Sequence, residues 1–230
     1  MMRAIIMVLM LIIAPSFLAA QDIERRITVT GIGEVYVAPD MATISLGVSS
    51  FHEMASDAMR INSTAMNKIF AHLKTADIEP RDIQTAQLSL NPRWDRRNSS
   101  NTQPHIIGYE ALSTLTVRVR DIGSVGTILD VLTKTGANRI NHISFGIQKT
   151  RPHKDEARKN AVKDARAKAV LYAQAAGVEL GQVIYINENG GNPQPRTMAR
   201  MEMAMVSDAV PVAAGELGLR STVTIVFEIK

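Results

Sequence analysis

"ITVTGIGEVYVAPDMATISLGV", Ile27 to Val48, decides how the chain is read, because its glycine pair Gly31-Ile32-Gly33 admits two meanings. A dinucleotide-binding loop needs G-x-G-x-x-G where a strand turns into a helix. Here Tyr36 stands at the third glycine position, more strand-like sequence follows, and a P-loop lysine is missing. The pair therefore marks a bulge or a close backbone approach within β-structure. Val35 and Val37 alternate with Glu34 and Tyr36 before Pro39-Asp40, and Ala42, Ile44, Leu46 and Val48 alternate after it. Period-two patterning on both sides of an Ala-Pro-Asp turn predicts two strands joined as a hairpin.

Upstream, Arg3 is the only charge before Asp22, Ala4 to Ala14 is unbroken apolar sequence, and Ala19-Ala20 supplies small residues. A basic start, a short apolar run and a small-residue exit predict a secretory signal peptide, residues 1–20, cleaved near Ala20. The run is shorter than the ~20 residues of a spanning helix. Removal of Arg3 with this segment lowers the formal net charge from +4 to +3 and leaves 210 residues. That length fits one large domain or two small ones. The charge is mild and no basic stripe carries interleaved aromatics, so no nucleic-acid partner is expected. The chain has no cysteine, which excludes disulfides, thiol nucleophiles and thiolate metal sites.

Further along, Ile61, Ala65, Ile69 and Leu73, with Met66 and Phe70 beside them, predict a helix over about 51–76 with one apolar face. A strand over 83–90 follows, then polar sequence from Asn91 to His105, a strand over 109–120, a short helix over 122–135 and a strand over 140–147. Ile69–Leu90 and Ile128–Ile147 share a plan of helix end, polar turn and strand, a weak internal repeat. "PHKDEARKNAVKDARAKAVLYAQAA", Pro152 to Ala176, predicts the longest helix, with Ala157, Ala161, Ala165, Ala169 and Ala173 as a row suited to close packing on a sheet. A strand over 182–187, an irregular linker over 187–216 and a final amphipathic strand complete the chain. This order predicts an α+β fold, with a mixed or antiparallel sheet, βαβ-type units and one long helix in the C-terminal half. Residues 21–230 form the folded domain, divisible into two lobes over about 27–92 and 105–230.

The five histidines, His52, His72, His105, His142 and His153, make no H-E-x-x-H pattern, and no G-x-S-x-G elbow occurs. A protein that is not an enzyme and carries no cofactor is expected. Two clusters remain. Trp94 sits among Arg93, Arg96 and Arg97. It is either a solvated hairpin tip or an anchor for a partner subunit. Met198, Met201, Met203 and Met205 fall within eight residues. They are adaptable packing residues, oxidation-sensitive thioethers or soft ligands for Cu(I).

The opening stretch with Gly31, Gly33, Pro39 and Asp40 resembles the SIMPL-domain family. So do "NAVKDARAKAVLYAQAAGVELGQVIYINE" and the closing "STVTIVFEIK", in the same order. The most specific pieces are the G-x-G…P-D opening and Asp164-Ala165, Lys168-Ala169, Gly177 and Leu180-Gly181. The resemblance is to the bacterial YggE-like periplasmic branch, which includes an outer-membrane-associated immunogenic antigen. It implies an α+β fold, export to the periplasm with peripheral association with the outer membrane, and a link to oxidative-stress defence. It further implies assembly of identical chains, as a ring or channel-like homo-oligomer. It supplies no catalytic residues, so Gly31, Gly33, Pro39 and Asp40 are read as fold residues. The competing reading is a monomeric periplasmic module that binds a metal or small ligand at the methionine-rich stretch.

Overall fold

The computed structural model describes residues 25–95, 104–188 and 212–230, and the backbone of 196–198. Residues 1–20, expected to be a signal peptide, and Arg96, Arg97, Met201, Met203 and Met205 lie outside them. The elements run β1 (Arg26–Val37), β2 (Met41–His52), α1 (Ala55–Thr75), β3 (Ile83–Trp94), β4 (Ile106–Val119), α2 (Val125–Thr135), β5 (Arg139–Gly146), α3 (Thr150–Ala176), β6 (Leu180–Glu188), β7 (Arg196–Met198) and β8 (Glu216–Ile229). The fold is α+β, with antiparallel pairing throughout the described strands.

Two sheets divide these strands. One has the order β3-β4-β2-β5; the other has β1-β8-β6, with β7 pairing β8 beyond the end of β6. The first is built from β2-α1-β3 and β4-α2-β5, and each half leaves a gap that a strand of the other half fills. That is the ferredoxin-like split βαβ arrangement. The weak repeat corresponds to its two halves, since α1–β3 and α2–β5 hold equivalent places. The chain makes this unit, 41–146, between β1 and the remainder of the other sheet. The sheets thus divide the chain differently from lobes over 27–92 and 105–230.

β1 and β2 are not a hairpin. Ile27 to Val37 pairs with Phe227 to Leu217, whereas β2 pairs with β4 on one side and β5 on the other. Alternation identifies a strand but not its partner, and the faces of these two differ. β2 buries Ala42, Ile44, Leu46 and Val48 under α1 and α2, with Ile69, Leu73, Leu115, Val117, Leu129 and Leu132. Each such large side chain contributes about 1.5–3 kcal/mol by leaving water. β1 instead presents glycines, which only a helix of small residues covers well.

Two further expectations shift. The buried stripe of α1 is Ala58, Asn62, Met66, Ile69 and Leu73, so Ile61 and Phe70 stand partly in solvent. β3 extends to Trp94, which shortens the polar excursion expected from Asn91. α2 and the alanine row of α3 are buried as their patterns predict. α3 stops at Gly177, whose φ of 71° suits a left-handed cap.

Candidate interaction surfaces

α3 approaches β1 more closely than side chains usually permit. A Cβ on Gly31 would fall 2.0 Å from the Ala161 carbonyl oxygen, and one on Gly33 would fall 2.1 Å from that of Ala157. The glycines of the opening stretch and the alanines of the long helix are two halves of one contact. Beside them, the Ile32 N–H donates to Asp164 Oδ2 at 2.8 Å and Lys168 Nζ donates to the Thr30 carbonyl at 3.0 Å. Asp164 and Lys168 also pair with each other at 2.7 Å. β1 is an edge strand, so these side chains occupy backbone positions that a neighbouring strand would otherwise use. The most specific family motifs are therefore structural: they place α3 and close one sheet edge.

Asp40 and Asp82 hold the passage between the sheets. The Gln148 N–H donates to Asp40 Oδ1 at 2.7 Å, and Arg120 Nη1 donates to Gln148 Oε1 at 3.1 Å. Arg120 then grips Asp82 through Nε and Nη2, at 2.6 and 2.9 Å. The Arg120 hydrogen bonds hold the buried Asp82 carboxyl below the ordinary carboxylate range, aided by the Arg120 and Arg118 charges and opposed by burial. Lys168 and the Ile32 N–H lower Asp164 in the same sense. Groups with depressed native pKa stabilise the fold above their unfolded value and lose that contribution as pH falls through the native one. The urea midpoint is therefore expected to fall on acidification from about pH 5 to pH 3, around the unperturbed aspartate value. Asp82→Asn should flatten this acid limb. An unaltered limb in that variant would assign it to other carboxylates.

Trp94 stands at the end of β3 opposite Ile106, and both are exposed. The Arg93 guanidinium lies 5.6 Å from the centroid of the exposed Phe51 ring, a cation–π contact. Gly108 sits under that ring, where a Cβ would come within 2.5 Å of it. Arg93, Trp94, Phe51 and Ile106 thus form an aromatic, basic corner of the ferredoxin-like sheet. Arg96 and Arg97 lie outside the described residues. Of the methionine cluster, only the backbone of Met198 is described, in β7.

Sequence patterning missed Asn62. Its side chain is buried, where Nδ2 donates to the Val48 and Ala111 carbonyls and Oδ1 accepts from Ser113 Oγ. A polar residue on an apolar helical stripe was the available signal. His52 Nδ1 accepts from the Met54 N–H at the start of α1, a structural role. Among the described residues, no group of three His, Asp or Glu is placed to hold a metal, and no helix is long and apolar enough to cross a membrane. A groove of about 360 Å³ between α1 and α2 is lined by Leu73, Ile128, Val131 and Leu132 with His72 and Thr127.

The SIMPL family pattern, described as a protein of unknown function (DUF541), matches residues 27–227. The 26 kDa periplasmic immunogenic protein of Brucella melitensis is 40% identical over 212 residues, covering 89% of this chain and 85% of the relative. Uncharacterized protein YggE of Edwardsiella ictaluri is 32% identical, covering 84% of this chain and 81% of the relative. Uncharacterized protein YggE of Escherichia coli K12 is 30% identical, covering 83% and 75%. With that pattern matched over 27–227 and relatives 30–40% identical over 83–89% of this chain, the chain belongs to the SIMPL family.

Proposed function

We propose that this protein is exported to the periplasm, has no catalytic activity of its own, and works as a self-associating structural protein. Copies of the chain close into a ring or channel-like oligomer with peripheral association with the outer membrane. The periplasmic Brucella relative supports the compartment. The observation that carries self-association is the corner of Phe51, Arg93, Trp94 and Ile106. Exposed aromatic and arginine side chains gathered at one site are the usual anchors of a protein interface. The link to oxidative-stress defence rests on the family resemblance.

Light scattering on a sizing column tests the proposal with residues 21–230. The expected result is a discrete mass several times that of one chain, reduced in Trp94→Ala without loss of folded circular dichroism. A monomer at micromolar concentration overturns self-association. An assembly unchanged by Trp94→Ala removes the corner from the interface. Dye release from vesicles then separates a channel from a closed ring.

A further inference from the structure

We infer that the outer edge of β6, along which no described strand pairs, joins the β6 edge of a second copy, so that two three-stranded cores become one continuous sheet. The inference rests on the self-association proposed above and names a contact separate from the Trp94 corner.

Among the described strands five are outer; β7 has only three residues, and of the other four, three are defended. β1 is closed by Asp164 and Lys168. β3 contains Pro92, and its register with β4 breaks between Thr85 and Gln87 and between Arg93 and Trp94. β5 has only eight residues, carries Arg139 and His142, and pairs irregularly with β2 between Ser45 and Leu46. Capping side chains, proline, bulges, short length and charge are the devices that keep sheet edges from adding strands.

β6, "LGQVIYINE", is different. It has no proline and no basic residue, and its one acid, Glu188, is held by Arg158 at 2.9 Å. Val183, Ile184, Tyr185 and Ile186 are four consecutive large apolar residues, each 48% to 57% exposed. Its irregularities with β8 lie before Tyr185, and Tyr185 to Glu188 runs in regular register. Such an edge is a template for another strand.

The sheet is also covered only in part. α3 lies over β1 and β8 and barely reaches β6. Arg158, Val162 and Val170 each follow a buried alanine of α3, and the Arg158–Glu188 pair shows that this flank looks towards β6. Val162 and Val170 are more than one-third exposed. Ile186, opposite Ile225, is on the same side of the sheet and is bare.

A second β6 is the occupant that fits. The other described edges of a neighbouring copy are defended against strand addition or, in β7, only three residues long. Antiparallel self-pairing about a two-fold axis between Ile184 and Ile186 sets Glu188 opposite an uncharged residue, Leu180, Gln182 or Ile184, so no like charges meet. It yields the order β1-β8-β6-β6-β8-β1, with both outer edges closed by Asp164 and Lys168. A two-fold contact of this kind uses the same surface on both chains.

The chain has no cysteine, so single-cysteine variants report the contact cleanly. Val183→Cys, Ile184→Cys, Tyr185→Cys, Ile186→Cys and Asn187→Cys are each oxidised mildly and run on a non-reducing gel, with Leu88→Cys on β3 as control. Residues facing each other across an antiparallel pair lie about 4.5–5.5 Å apart, within disulfide reach. The expected result is a disulfide dimer that peaks at one position or two neighbouring ones, and none for Leu88→Cys. Ile184→Lys with Ile186→Lys should lower the assembly mass at least two-fold while retaining the native circular dichroism spectrum. An intact oligomer with no β6 cross-link and no response to the lysines overturns the β6 contact and leaves self-association standing. A monomeric parent protein overturns both.

Discussion

Gly31→Val is expected to unfold at a markedly lower urea concentration than the parent protein, with a loss of about 3 kcal/mol or more from overpacking and broken hydrogen bonds. The new Cβ would lie 2.0 Å from the Ala161 carbonyl oxygen and 2.6 Å from the Ala165 nitrogen. Both are helix backbone atoms, so no side-chain rotation relieves the clash and α3 must lift from β1. Lifting also draws Asp164 from the Ile32 N–H and Lys168 from the Thr30 carbonyl. Gly177→Ala is the control. Nothing lies within 4 Å of a Cβ there and only its φ of 71° opposes the substitution. It should cost about 1–2 kcal/mol, the usual penalty for a left-handed residue. A Gly31→Val variant no less stable than Gly177→Ala would refute the close contact between strand and helix.

Asn62→Ala is expected to cost about 3 kcal/mol, combining a small cavity with buried polar groups left unpaired. The amide bridges Val48 of β2 and Ala111 of β4 at 2.9 and 3.1 Å, so it ties α1 to two neighbouring strands at once. Its loss also removes the acceptor of the buried Ser113 hydroxyl. Ser113→Ala should therefore cost less in the Asn62→Ala background than in the parent, by about 1 kcal/mol. Thermal and urea unfolding of the four proteins measure this coupling. Strictly additive losses would mean that the two side chains act independently.

These two sites show how far local sequence reaches. The strands around Gly31, the apolar faces of α2 and β2, the alanine row of α3 and the α+β class were all legible, because each follows from a periodicity of two or of 3.6 residues. The rejection of a nucleotide loop was legible too, since Tyr36 replaces a required glycine. The place of Asn62 was not. Its polarity interrupts the stripe, so Ile69, Leu73 and Met66 were legible as the α1 face while Ile61 took the place that belongs to Asn62. Only the two strand carbonyls beneath it show why an amide is buried there. Trp94 and Arg93 were legible as an interaction candidate, while Phe51, which Arg93 covers, comes from a strand 42 positions earlier and no local pattern links the two.

The sequence by itself determined where most strands and helices form and which face of most of them is apolar. Those are short-range properties of side-chain spacing. The tertiary structure alone decided that β1 leaves β2 for β8, that Gly31 and Gly33 seat Ala157, Ala161 and Ala165, and that β1 is closed by side chains while the outer side of β6 pairs with no described strand. Alternation shows that a strand has a buried face but carries no record of which strand lies beside it. That choice is made by shape and hydrogen bonding between residues more than a hundred positions apart.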